Sequence, residues 1–122
     1  MSLVQHFNNQ LYNFVNALEN KFPENNDLYK YRLSLTIIKN SNNKYIYKLF
    51  KTQIHTQYRN ELLNKNIHLL LKNINNNESF LSSMNFNNIW YNLDEESQDA
   101  ILDYLKLLTK ICDKIDLDSN TN

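Results

Sequence analysis

The chain has 122 residues, 42% of them hydrophobic and 12% aromatic, which suffices for one domain with a single core and excludes an intrinsically disordered chain. Glycine is absent, where ordinary usage is about 7%, so P-loops, dinucleotide-binding loops and the nucleophile elbow cannot be built in their usual form. Formal net charge is zero but divided: residues up to Lys72 carry ten Lys/Arg against four Asp/Glu, +6, and those from Asn73 onward carry three against nine, −6.

Period 3.6 dominates wherever a period is clear. Phe7, Leu11, Phe14 and Leu18 recur at helical steps and fall within about 60° of one face, with Asn9, Asn13, Asn16 and Asn20 opposite. This helix ends near Phe22, because Pro23 disfavours helical geometry in the residue before it. Asn25, Asn26 or Asp27 caps a second helix, whose apolar stripe is Leu28, Tyr31, Leu35 and Ile38. Leu33 and Ile37 lie nearly opposite that stripe, and a helix apolar on two faces predicts a sandwiched, central element. The Asn-rich run 40–43 supplies a stop, a turn and a cap.

A third helix is predicted over about 44 to 58, burying Ile46, Leu49, Phe50 and Ile54. Lys48, Lys51 and His55 fall within about 20 to 40° of Lys44, opposite that buried face, with Tyr47 and Tyr58 flanking the stripe. Between Arg59 and Lys72 the apolar groups around Leu62 and 67–71 predict one or two short helices, divided near Asn64. Residues 73–78 form a low-complexity polar loop. Helical spacing resumes with Phe80, Leu81, Met84, Ile89, Trp90 and Leu93. The last helix, from 95 to about 115, places Ile101, Tyr104, Leu105, Leu108, Ile111, Cys112 and Ile115 on about 120° of one side, and 116–122 reads as a frayed tail. Strand alternation is nearly absent; LSLTII reads as a strand in isolation, but its flanks keep helical spacing. The expectation is an all-α, single-domain bundle of five or six helices over residues 1–115.

Few patterns carry chemistry. One cysteine excludes an intrachain disulfide framework and a multi-cysteine zinc site, and Cys112 on an apolar face reads as packing. His6, His55 and His68 share no ligand spacing, and Asp116-x-Asp118-x-Asn120 lacks the glycine and glutamate a calcium loop requires. The acids after Trp90 could be a carboxylate site. They read better as a helix start, with Asp94 as the cap and Glu95 and Glu96 at the positive end of the dipole. Asp99 and Asp103 then share the polar face with Lys106 and Lys110. Neither catalytic residues nor a metal or cofactor is expected. The candidate interaction surface is the Lys44, Tyr47, Lys48, Lys51, His55, Tyr58 stripe, where cations could neutralise phosphates and rings stack on bases. Trp90, Asp94 and the Phe7, Leu11, Phe14, Leu18 face are structural. No apolar run approaches the roughly 18 residues that span a bilayer, and the opening MSLVQHFNNQ is unlike a signal peptide. A soluble protein of a reducing compartment is expected, with the sequon Asn77-Glu78-Ser79 unused.

Three segments in order, FNNQLYNFVNALENKFPENNDL, KLFKTQIHTQYRNELLNKN and NIWYNLDEESQDAILDYLKLLTKI, resemble a group of small, mostly uncharacterised helical proteins of nucleocytoplasmic large DNA viruses. The resemblance rests on Phe7, Leu11, Phe14, Phe22 and Pro23 in the first helix and on Trp90, Leu93, Ile101, Tyr104, Leu105 and Leu108 in the last. It implies viral origin and residence in the host cytoplasm, the nucleus or the virion, and it carries no catalytic residue. The expected function is non-enzymatic: a virion component or a modulator of host proteins, acting on a viral or host protein or on a second copy of itself. The alternative is a nucleic-acid-associated accessory protein using the stripe on the third helix.

Overall fold

The computed structural model describes residues 2–74, 81 and 84–120, with backbone alone for 119 and 120. Most of the polar loop read over 73–78 lies outside the described residues, as do Phe80 and the sequon Asn77-Glu78-Ser79. The fold is an all-α bundle: six helices and no strand among the described residues.

Helix α1, Leu3–Lys21, starts at a capping box in which Ser2 Oγ accepts from Gln5 N (3.1 Å) and Gln5 Oε1 from Ser2 N (3.0 Å). It stops at Phe22, whose N–H donates to Leu18 O before Pro23 turns the chain. Helix α2, Asn26–Ser41, is capped by Asn25 Oδ1, which accepts from Asp27 N and Leu28 N. Helix α3 runs over 45–63 as α-helix Tyr45–Phe50, a π-helical turn Lys51–His55 and α-helix Thr56–Leu63. Two short helices follow, α4 (His68–Asn73) and α5 (Phe86–Tyr91), and then α6 (Glu95–Asn120). Asp94 begins α6, its Oδ1 accepting from Ser97 N at 3.0 Å.

Helices α1 and α6 pack on each other, α2 lies on α1 and the start of α3, and the π turn and second half of α3 lie on α6. Phe7 joins α1 to α3, being fully buried and meeting Tyr47 and Phe50 edge to face at 5.9 and 5.3 Å. Leu11, Phe14 and Leu18 continue the same buried face, and Phe14 meets Tyr104 of α6 at 5.5 Å. Trp90 is buried against Phe86, and its carbonyl accepts from Gln98 Nε2 at 2.9 Å, closing the angle between α5 and α6.

Two expectations are corrected. Helix α2 is peripheral: it buries Leu28 and Leu35, while Tyr29, Leu33 and Ile37 are 49%, 40% and 68% exposed. The central place belongs to α1 and α6, whose apolar stripes are longer, and α2 finds a neighbour for one of its two faces only. The last helix does not end near Ile115 with a frayed tail; it continues through Asn120, since Asp116 is bonded to two side chains of α3.

Without glycine, positive φ falls to other residues. Asn85 (φ 57°) precedes α5, and Lys65 (φ 56°) closes α3, where Asn66 N bonds Glu61 O and Lys65 N bonds Leu62 O in a Schellman motif. A side chain in the left-handed region is disfavoured there. Lys65 offsets this by bridging to Asp99 (2.7 Å) and Asp103 (3.0 Å) of α6.

Phe7→Ala is expected to destabilise the fold by about 3 to 5 kcal/mol, measured by urea unfolding. Lys65→Gly is expected to raise the thermal midpoint in about 1 M salt, where the bridges are screened and only the relieved backbone counts. A midpoint below that of the parent chain in high salt would contradict this account of the turn.

Candidate functional site

The residues read as one solvated stripe on α3 divide between surface and interior. Lys44 and Lys48 are exposed, whereas Tyr47, His55 and Tyr58 are buried, and Lys51 is ion-paired to Asp116. For His55 and Tyr58 the cause is the π turn, Lys51–His55; Tyr47 precedes it and already borders the buried face of Phe50 and Ile54. In an ideal α-helix, residues four apart drift by about 40° per step, so Tyr47, Lys51, His55 and Arg59 would spread over about 120°. An i→i+5 turn accommodates roughly one extra residue, which sets the following residues back by about 100°. The four side chains therefore come nearly into line. Local bonds support the wide turn: Thr56 Oγ1 donates to the Lys51 carbonyl at 2.8 Å, and Tyr58 leaves helical geometry at φ −127° and ψ 15°.

This line meets two aspartates one turn apart on α6. Asp116 Oδ1 accepts from Tyr47 Oη (2.9 Å) and Lys51 Nζ (2.5 Å). Asp113 takes both prongs of Arg59, Nε on Oδ1 at 2.8 Å and Nη2 on Oδ2 at 3.0 Å, and its Oδ1 lies 2.7 Å from His55 Nε2. The Arg59 guanidinium, aided by His55, holds the Asp113 carboxyl below the usual carboxylate range against the effect of burial. Burial pushes the Asp116 carboxyl up, but the bonds from Lys51 and Tyr47 outweigh it and leave the group low.

Arg59, Asp113 and Asp116 are the site residues that sequence reasoning misses. The i, i+4 series from Tyr47 to Arg59 is the available signal, since residues at that spacing keep to one side of a helix if the drift is corrected.

A His and carboxylate pair is half of a nucleophile-activating relay, yet among the described residues no hydroxyl or thiol is bonded to His55. Cys112 is fully buried, and burial, reinforced by Asp116 and Asp113, pushes its thiol up, away from the reactive thiolate. Asp113 is saturated by Arg59. Among the described residues no three His, Cys, Asp or Glu side chains form a group able to hold a metal ion, and no helix is long and apolar enough to cross a membrane. The seam docks α3 onto α6.

Two apolar features lie elsewhere. One is the outer ridge of α2, where Tyr29, Leu33 and Ile37 recur every four residues and the Arg32 guanidinium lies over the Tyr29 ring at 5.5 Å. The other is a cleft of about 130 Å³ between α1 and α6, floored by Phe14, Leu18 and Tyr104 and walled by Ala17, Leu93 and Ala100, with Lys21 at its rim. Ala17 and Ala100 are the only alanines in the chain, and in the absence of glycine they are its smallest side chains.

No protein family, no curated protein and no solved structure matches this chain.

Because both seam carboxylates are held low, the unfolded chain binds protons first as pH falls. Their contribution to stability is complete above about pH 4, the unfolded value, and is lost on acidification through the folded values. The urea midpoint is expected to drop more steeply below about pH 4 in the parent chain than in Asp113→Asn/Asp116→Asn. Equal slopes would show that the seam does not carry this linkage.

Proposed function

We propose that this is a non-enzymatic helical protein that acts by binding another protein, and that the outer ridge of α2 is its contact surface. The observation that carries this reading is the exposure of Tyr29, Leu33 and Ile37 on a helix anchored by its opposite face through Leu28 and Leu35. Aligned apolar side chains four residues apart suit a ridge that enters an apolar groove. The resemblance to small helical proteins of large DNA viruses supports a viral origin for this activity, with a virion protein, a host protein or a second copy as partner. The host cytoplasm, the nucleus or the virion is then the place of action.

The nucleic-acid alternative is the weaker reading. Of its six residues, Tyr47, His55 and Tyr58 are buried and Lys51 is engaged by Asp116, which leaves only Lys44 and Lys48 as exposed cations, with the exposed Tyr45 beside them.

Leu33→Glu/Ile37→Glu alters exposed positions only and is expected to change stability by less than about 0.5 kcal/mol while abolishing partner binding. Affinity recovery from cells expressing the tagged parent and variant, with quantification of each co-purifying protein, checks this. Recovery of the same proteins at the same levels by both would refute the ridge as the contact surface, and turnover dependent on Asp99 or Asp103 would refute the non-enzymatic reading.

A further inference from the structure

We propose that the cleft between α1 and α6 binds the alkyl chain of a medium-chain carboxylate, whose single negative charge pairs with Lys21 at the rim. No residue of the α2 ridge lines this cleft, so the inference stands apart from the ridge and adds a small-molecule site to the protein.

Shape decides the apolar part of the ligand. The cleft holds about 130 Å³. That approaches the roughly 150 Å³ of an engineered apolar cavity that binds benzene, so there is room for about six carbons. The walls arrange that room lengthwise. On α1 the lining runs from Phe14 through Ala17 to Lys21, and on α6 it runs the opposite way, from Tyr104 through Ala100 to Ser97. Seven residues along each helix make a trough about 10 Å long at 1.5 Å per residue, which fits an extended chain better than a compact ring. The Phe14 and Tyr104 rings, 5.5 Å apart, close one end. Alanine at positions 17 and 100 keeps the trough open, and a larger side chain at either position fills it.

Charge decides the other part. Lys21 is exposed and is the one charged side chain among the residues lining the cleft; no carboxylate is among them. It stands in the last turn of α1, at the end of the trough away from the Phe14 and Tyr104 rings. An apolar cleft with a few polar groups at its edge is the usual form of a ligand site. Asp94 lies outside the lining, and its Oδ1 accepts from Ser97 N at 3.0 Å as the cap of α6. The Ser97 bonds hold the Asp94 carboxyl below the usual carboxylate range, and the Lys21 charge adds to this through space. A cation that already senses one carboxylate favours a monoanion over a dianion, and it repels an amine.

The test is titration of the full chain with octanoate, octanol and octylammonium, each to about 3 mM at neutral pH and low salt, followed by amide nuclear magnetic resonance. Octanoate is expected to move the amide signals of Ala17, Lys21, Ser97 and Ala100 saturably. It is expected to bind about two- to five-fold more tightly than octanol, and octylammonium more weakly than either. In about 1 M salt the advantage of octanoate over octanol is expected to vanish. Lys21→Gln changes an exposed position and is expected to equalise octanoate and octanol while leaving octanol binding as it was. Ala100→Trp occupies the trough and is expected to abolish the shifts from both ligands with an unchanged far-UV circular dichroism spectrum. Ala17→Trp fills the trough from α1 and serves if the Ala100 variant does not fold. Shifts that are absent or lie elsewhere, an octylammonium affinity equal to that of octanoate, an octanoate advantage that survives Lys21→Gln, or binding that survives the folded tryptophan variant would each overturn the site.

Discussion

Two carboxylates one helical turn apart, Asp113 and Asp116, receive four side chains from α3, and the arrangement of the second half of the molecule depends on that exchange. Charged groups at a helix interface are favourable only when their bonds are nearly complete, because each must give up water. Here Asp113 accepts from both prongs of a guanidinium and meets an imidazole, and Asp116 accepts from a phenol and an ammonium. With α3 so fixed, Leu62 reaches the core, the chain turns at Lys65, and α6 is held in helical form beyond its last buried residue. The apolar side of the same contact is supplied by Phe7, whose ring lies between those of Tyr47 and Phe50. Tyr47 therefore belongs to both systems, with its ring in the aromatic cluster and its hydroxyl on Asp116.

Much of this architecture is legible in the sequence. The Phe7, Leu11, Phe14, Leu18 spacing and the stop at Pro23 define α1, Asn25 and Asp94 mark two helix starts through their side-chain oxygens, and Asn64 marks the break after α3. These are local signals, produced by residues a few positions apart. Where the reading departs from the structure, the deciding contact is distant in the chain. Two apolar faces on α2 do not say which of them finds a neighbour, and the answer lies in α1. Nor does the polar run after Ile115 reveal that Asp116 has partners 65 and 69 residues earlier.

The seam itself is half legible. Tyr47, Lys51, His55 and Arg59 stand out as a series with a constant step, and the step is the wrong one for a straight line on an α-helix. Resolving that mismatch takes a π turn, for which residue type offers no distinctive signature. An ideal helical projection therefore places His55 in solvent, and the structure places it on Asp113. The lack of glycine acts similarly. Among the described residues it directs the two positive-φ positions to an asparagine and a lysine, and the lysine is recognisable as a turn residue only once its bridges to α6 are seen.

The π turn also changes what information α3 carries. Along most of a helix, the identity of each side chain matters more than the number of residues that precede it, because a substitution leaves the phase of its neighbours intact. Between Lys51 and His55 the count itself is structural. An in-frame loss of one codon there would restore a regular helix and at the same time rotate Arg59, Leu62 and the turn at Lys65 out of register with α6. A further codon would overshoot in the opposite sense. This five-residue segment is thus a place where the reading length of the gene is constrained, and where tolerance of point changes coexists with intolerance of insertion and deletion.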